Sequence, residues 1–195
     1  MGVLDVNAKA KQIINVPNLF TAARLVLAIV VFVLVPWHCY WASFVVFIIA
    51  ASTDWIDGYW ARRFNQVTQV GRVFDPFVDK IIVCGMFIFL AAEQPTSGID
   101  AWMAVVVVGR EMLVTALRSA IEQGGGDFSA KLSGKLKMVF QCIAIGASLV
   151  ALTYGNEALP AWLAGTVLIA VWLAVLSTIW SGVQYVIVAA KFLGE

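Results

Sequence analysis

Four aspartates interrupt long apolar stretches in a chain that is 62% hydrophobic. Asp54 and Asp57 form one pair, and Asp75 and Asp79 form a second pair shortly after it. Ionisable side chains are expensive to place at membrane depth, so their presence there indicates a functional site. Carboxylates that converge in a low dielectric repel one another unless cations neutralise them. Because ligand sets made only of oxygen favour Mg²⁺ or Mn²⁺ over zinc, the aspartates predict a site for two divalent ions.

The spacing of the aspartates predicts that each pair lies on one face of a helix. Gly58 and Ala61 share the face of Asp54 and Asp57, since these four positions follow the i, i+3, i+4, i+7 pattern. Gly71 begins the second pattern, in which Asp75 follows at i+4 and Asp79 at i+8. Small residues beside carboxylates leave space for a ligand, so a binding site is expected where the two faces meet.

Two structural alternatives remain open for these aspartates. Asp57 and Gly58 could form a turn where a helix end reaches water. Asp75 could instead cap the N-terminus of a helix, with Pro76 as the first helical residue.

The apolar segments predict an all-α integral membrane protein, built as a bundle of six transmembrane helices. A span needs about 20 apolar residues, and the chain offers six such stretches joined by short connections. Residues 1–195 are therefore interpreted as a single domain, with a polar cytoplasmic segment over residues 1–17. The predicted spans are 18–36, 39–61, 72–94, 100–121, 132–153 and 160–189.

The distribution of Lys and Arg predicts the orientation of these spans. The connections near 37–39, 93–100 and 154–160 contain neither residue type, whereas the opposite side carries many, including Arg62 and Lys191. Cytoplasmic connections are the ones enriched in Lys and Arg. We therefore expect a multi-pass protein of the cell inner (plasma) membrane, with both termini and a cytoplasmic-side active site at the aspartates.

Taken together, the two aspartate patterns resemble the signature of the CDP-alcohol phosphotransferases. That signature is D-x-x-D-G-x-x-A-R, a short spacer, and G-x-x-x-D-x-x-x-D, and every position of it is present in this chain. The matching residues are Asp54, Asp57, Gly58, Ala61, Arg62, Gly71, Asp75 and Asp79. The resemblance implies a membrane transferase that acts on a CDP-linked lipid and releases CMP, and it implies a homodimer in the lipid bilayer.

The resemblance also implies a role for individual side chains. Asp54, Asp57 and Asp75 are implied metal ligands, and Asp79 is implied to bind metal and to act as the general base. The CDP-binding residues that it implies are Asn18, Thr21, Arg24, Gly58, Ala61, Arg62, Thr68 and Gly71.

The first three of these CDP-binding residues come from the start of the first predicted span. Asn18, Thr21 and Arg24 occur at three-residue intervals and match an N-x-x-T-x-x-R element of the family. An alternative remains open, in which Asn18 caps the helix and Arg24 extends to the membrane interface.

Cationic side chains in the second half of the chain predict a pocket for a phosphorylated acceptor alcohol. They are Arg110, Arg118, Lys135 and Lys137. Arginine binds phosphate through a bidentate fork, and lysine contributes a point charge. For Arg118, Lys135 and Lys137 the alternative is a solvated cluster of the kind found on cytoplasmic faces. Glu111 follows Arg110 directly and is expected to point elsewhere on the helix.

The elements around these cations, R-E-x-x-V-x-x-x-R and G-K-x-K-x-x-x-Q, resemble one branch of the family in particular. That branch uses CDP-diacylglycerol as donor and sn-glycerol 3-phosphate as acceptor. One departure is Met138, where the branch commonly has Thr. The sequence is therefore interpreted as an enzyme that joins these two substrates. The alternatives are a sibling enzyme for inositol phosphate or phosphatidylglycerol, and a divalent-cation transporter.

Overall fold

Six α-helices make up most of the residues that the structure describes. The computed structural model describes residues 16–64, 69–123, 132–155 and 158–193. The helices are α1 (Val16–Leu34), α2 (Tyr40–Phe64), α3 (Gln69–Ala92), α4 (Ala101–Gln123), α5 (Leu132–Tyr154) and α6 (Ala161–Leu193). No strand occurs in these four ranges. The predicted all-α fold is confirmed for them, and each predicted span matches one helix with ends that differ by at most four residues.

Long apolar runs characterise the last two helices. Among the described residues, two helical segments are long and apolar enough to cross a membrane, Leu136–Tyr154 in α5 and Ala161–Lys191 in α6. Shorter apolar segments occur at Thr21–Leu34 in α1 and Tyr40–Thr53 in α2.

The first compact unit ends at Ile82 and contains α1, α2 and the N-terminal part of α3. Helices α1 and α2 pack against each other. The buried face of α1 includes Thr21, Arg24, Ala28 and Val31, which recur every three or four residues along the helix. Two of the predicted CDP contacts, Thr21 and Arg24, therefore lie on the same buried face of α1 as these apolar residues.

The second compact unit begins at Val83, and in it α6 packs against both α4 and α5. The loop between α3 and α4 is fixed by close contacts within this unit. Gly98 has a φ of +68°, and a Cβ there would lie 2.6 Å from Cγ1 of Val167, so only glycine fits. The hydroxyl of Ser148 donates a hydrogen bond to the carbonyl oxygen of Ser97 at 2.7 Å. These contacts hold the loop against α5 and α6.

The backbone excludes both structural alternatives for the aspartates. Helix α2 continues through Asp57 and Gly58 to Phe64, so these residues do not form a turn. Helix α3 begins at Gln69, so Asp75 lies inside the helix and does not cap it. Both aspartate patterns therefore lie on continuous helix.

The start of α1 also differs slightly from the prediction. The helix begins at Val16, so Asn18 lies in its first turn and not at the cap position. Residues 1–15 of the predicted N-terminal segment lie outside the described residues. The single-domain interpretation stays a prediction.

Candidate active site

The aspartate patterns are carried by regular helix backbone in α2 and in α3. The i, i+3, i+4, i+7 pattern places four positions on one face of α2, and the i, i+4, i+8 pattern places three on one face of α3. Several predicted site residues have side chains outside the described part of the chain, namely Asn18, Asp54, Asp57, Gly58, Ala61, Arg62, Gly71, Asp75 and Lys135. Thr68 lies outside it entirely. The roles of these residues stay predictions.

Asp79 has a described side chain, and it forms an ion pair with Arg24. Nη1 of Arg24, on α1, donates a hydrogen bond to Oδ1 of Asp79, on α3. The side chain of Arg24 is 1% exposed and that of Asp79 is 22% exposed. Arg24 is thus buried against its own unit, which contradicts the alternative in which it extends to the membrane interface. Thr21 is buried one turn earlier on the same face of α1.

A second polar group is buried in the other compact unit, and we call it the cation cluster. It consists of Arg110 and Glu111 on α4, Lys137 on α5, and Ser181 and Tyr185 on α6. Each of these five residues is at most 9% exposed. The solvated-cluster alternative is therefore wrong for Lys137.

Glu111 binds both cations of this cluster. Its Oε1 accepts a hydrogen bond from Nη1 of Arg110 at 3.1 Å, and a second from Nζ of Lys137. The expectation that Glu111 points away from Arg110 is wrong, because the long arginine side chain brings its guanidinium back to the adjacent carboxylate. One carboxylate between two cations leaves one net positive charge when all three groups are ionised.

Residues of α6 contact the Arg110 guanidinium at its second terminal nitrogen and near its central carbon. Nη2 donates a hydrogen bond to the hydroxyl of Ser181 at 2.6 Å, and Cζ lies 5.4 Å from the ring centroid of Tyr185, within cation–π range. A Cβ on Gly182 would lie 3.2 Å from Cγ of Arg110, so the arginine stem runs close to the α6 backbone. Nε of Arg110 is buried and has no hydrogen-bond partner within the described residues. Unused donors together with net positive charge suit an anionic ligand.

Two further cations, Arg118 and Lys135, belong to the predicted acceptor pocket. Arg118 is half-buried and lies on α4, eight residues after Arg110. Lys135 lies on the first turn of α5, two residues before Lys137. For these two residues the choice between a phosphate pocket and a solvated cluster stays open.

Sequence reasoning missed the residues of α6 that complete the cation cluster. A detectable signal was present, since Thr178, Ser181 and Tyr185 are polar positions at i, i+3 and i+7 of an otherwise apolar helix. All three are buried, and Oγ1 of Thr178 accepts a hydrogen bond from Nε2 of Gln141 at 3.0 Å. A polar stripe of this kind in an apolar helix indicates an internal partner.

Comparison with known proteins finds similarity over most of the chain. A family model described as CDP-alcohol phosphatidyltransferase matches residues 14–181. A Bacillus subtilis (strain 168) protein named CDP-diacylglycerol–glycerol-3-phosphate 3-phosphatidyltransferase is 34% identical over 188 residues, covering 88% of this chain and 93% of the relative. A Haemophilus influenzae protein of the same name is 31% identical over 180 residues, covering 90% and 93%. The Escherichia coli (strain K12) protein of that name is 34% identical over 137 residues, covering 67% and 74%.

Proposed function

We propose that the protein transfers the phosphatidyl group of CDP-diacylglycerol to sn-glycerol 3-phosphate. The chain belongs to the CDP-alcohol phosphatidyltransferase family. The products are phosphatidylglycerophosphate and CMP, which makes the protein an enzyme of phospholipid biosynthesis. The observation that carries this choice of substrates is the shared name of relatives from three bacteria, two of which align over 88% and 90% of the chain. The family predicted from the aspartate patterns is confirmed.

The cation cluster supports a phosphorylated acceptor. A net positive charge buried away from water is costly unless an anion accompanies it. The phosphate of glycerol 3-phosphate offers several oxygens to the N–H groups of Arg110 and Lys137, and such charge-assisted bonds are the strong ones. We assign Arg118 and Lys135 to the same pocket, in keeping with the motif that they share with the cluster.

On the donor side, we propose that the aspartates hold two divalent ions, Mg²⁺ or Mn²⁺. Asp54, Asp57, Asp75 and Asp79 provide only oxygen ligands, and they occupy regular faces of α2 and α3, so the donor set fits such ions. When bound, the ions supply charge neutralisation for the pyrophosphate of CDP-diacylglycerol and for CMP as it leaves. The predicted CDP contacts would hold the nucleotide in place for the reaction.

In the proposed reaction a hydroxyl of glycerol 3-phosphate attacks the lipid-side phosphorus of CDP-diacylglycerol. A new P–O bond forms to that hydroxyl oxygen, and the P–O bond to CMP breaks with its electron pair going to CMP. The hydroxyl proton passes to the carboxylate of Asp79. Arg24 binds one oxygen of that carboxylate, which restricts its rotation and orients it for the transfer.

We further propose six transmembrane helices, a cytoplasmic-side active site, both termini in the cytoplasm and a homodimer in the inner (plasma) membrane. The two long apolar helices support a membrane location. Large apolar side chains of α6, among them Ile169, Leu176 and Trp180, are more than half exposed, as expected for contact with lipid. Labelling of single introduced cysteines from each side of sealed vesicles tests the orientation, and cross-linking in native membranes tests the dimer.

The decisive experiment measures CMP release from CDP-diacylglycerol by the purified protein with different acceptors. The acceptors are glycerol 3-phosphate, inositol phosphate, phosphatidylglycerol and water alone, each with Mg²⁺ present. Only glycerol 3-phosphate should give rapid release together with a phosphatidylglycerophosphate product in the mass spectrum. Preference for another acceptor would assign a sibling activity. Cation flux in proteoliposomes without any CMP release would instead favour a transporter.

A further inference from the structure

Glu111 is a buried carboxylate to which the proposed reaction gives no part. Its Oε1 is bonded to Arg110 of its own helix and to Lys137 of α5. We infer that Glu111 is a positioning residue for the acceptor: it holds these two cations at one point so that both reach a single phosphate group. Ser181 is the second anchor, because it binds Nη2 of Arg110 from α6. The inference rests on the proposed function, since it takes the acceptor phosphate as the ligand of the two cations.

The carboxylate is needed because the two cations repel each other. In the interior of a protein, like charges at close range interact more strongly than in water. Arg110 and Lys137 come from different helices, so their separation is set by side-chain contacts and not by the backbone of one element. With Glu111 between them, both charged groups lie within hydrogen-bond reach of the same oxygen. The carboxylate thereby fixes how far apart their remaining donors are.

The orientation of the guanidinium is fixed by three separate contacts. Glu111 binds Nη1, Ser181 binds Nη2, and the ring of Tyr185 lies near Cζ. A planar group that is held at both terminal nitrogens and against one face has little freedom to rotate. Its Nε–H is a buried donor that the described residues leave unused. Such a pre-oriented fork favours one direction of approach for a phosphate.

A purely electrostatic role for Glu111 leads to the opposite expectation. If the carboxylate served only to reduce local positive charge, its neutralisation would strengthen the binding of an anion. If it positions the cations, its neutralisation lets them separate, and phosphate binding becomes weaker. The direction of the change in KM therefore distinguishes the two roles.

The test uses the variants Glu111→Gln, Glu111→Asp and Ser181→Ala, with KM and kcat measured separately for glycerol 3-phosphate and CDP-diacylglycerol. Glu111→Gln should raise the KM for glycerol 3-phosphate about tenfold, on the scale of one lost charge-assisted hydrogen bond. Glu111→Asp keeps the charge and should restore part of the affinity, and Ser181→Ala should raise the same KM by roughly threefold. The KM for CDP-diacylglycerol should stay within about twofold in all three variants.

Ser177→Ala is the matched control, because it removes another serine hydroxyl of α6 that lies outside the cluster and donates to the carbonyl oxygen of Ala174 in its own helix. Its kinetic constants should equal those of the wild type. A lower or unchanged KM for glycerol 3-phosphate in Glu111→Gln and Ser181→Ala overturns the inference. If Glu111→Gln does not fold, Glu111→Asp and Ser181→Ala decide the question by the same criterion. A separate outcome bears on the proposed function itself. If the wild-type protein releases no CMP in response to glycerol 3-phosphate, the proposed function is overturned.

Discussion

Arg24 and Asp79 form an ion pair that joins α1 to α3 within the first compact unit. The two residues were predicted separately, one as a contact to CDP and the other as general base and metal ligand. Their contact predicts an orienting role for the arginine in addition to the proposed contact with CDP, because a guanidinium that holds a carboxylate also orients it. Since the carboxylate is 22% exposed, part of its surface remains available to other partners.

Asp79→Asn should separate catalysis from donor binding. The amide has nearly the same size but cannot accept the proton as a carboxylate does, so turnover should fall about 10²- to 10⁴-fold. Binding of CDP-diacylglycerol, measured by thermal shift with Mg²⁺, should persist at reduced affinity. Substantial turnover would show that another group takes the proton. Loss of all donor binding would make Asp79 chiefly a metal ligand.

The ion pair also predicts a non-additive effect on stability. Removing one partner of a buried pair leaves the other charge uncompensated, which costs up to about 3 kcal/mol here because Asp79 is partly exposed. The double variant Arg24→Met with Asp79→Asn should therefore lose clearly less stability than the sum of the single variants. Unfolding in detergent gives the free energy of unfolding of the wild type, of each single variant and of the double variant, and therefore the three losses. Strictly additive losses would mean that the pair makes no net contribution.

Metal dependence tests the proposed role of the four aspartates. EDTA should abolish CMP release, and Mg²⁺ or Mn²⁺ should restore it. Asp57→Asn should lower kcat by about 10²- to 10³-fold, on the scale typical of a lost transition-state contact. The variant should melt at nearly the temperature of the wild type without metal, since its defect concerns ligand binding. Full activity in metal-free buffer would contradict a two-metal site.

The helices could be predicted from the sequence, but the continuity of α2 and α3 could not be derived from local signals alone. Asp57-Gly58 is a common turn pair, and Asp75-Pro76 is a common helix start. In the structure both lie inside helices of 25 and 24 residues. The long apolar runs around them outweigh the local preference for a break, as tertiary context often does.

The cation cluster marks the limit of what spacing can predict. Adjacent residues on a helix point in different directions, yet the long side chain of Arg110 reaches the carboxylate of Glu111. The contacts of this pair with Lys137 and Ser181 depend on how α4, α5 and α6 pack. That packing is a property of three helices together, and no spacing within one of them reveals it.

Arg118→Ala and Lys135→Ala test whether these two cations belong to the acceptor pocket. Each should raise the KM for glycerol 3-phosphate about tenfold through the loss of a charge-assisted bond, with the KM for CDP-diacylglycerol unchanged. Lys191→Ala is the control, because it removes an exposed cation near the end of α6. Equal weakening for both substrates would assign Arg118 and Lys135 to the nucleotide. Kinetics like those of the control would support the solvated-cluster alternative.

Gly182→Ala should disturb acceptor binding through the stem of Arg110. The new Cβ would lie 3.2 Å from Cγ of the arginine, which is tighter than an ordinary contact, so the stem must move by a few tenths of an ångström. Glu111 and Ser181 hold the guanidinium at its two Nη atoms, so this shift should strain those bonds. We expect the KM for glycerol 3-phosphate to rise roughly three- to tenfold, with little effect on the donor.

Gly165→Ala on the same helix provides the comparison, because a Cβ there meets no atom within 4 Å. Alanine in place of a helical glycine stabilises by up to about 1 kcal/mol, so both variants gain helix propensity, whereas only Gly182→Ala crowds Arg110. Gly165→Ala should therefore melt at or above the wild-type temperature with unchanged kinetics. If Gly182→Ala shows the same kinetics as Gly165→Ala, the placement of the arginine stem does not limit acceptor binding. A raised KM for glycerol 3-phosphate in Gly182→Ala alone would show that binding depends on where α6 holds this one side chain.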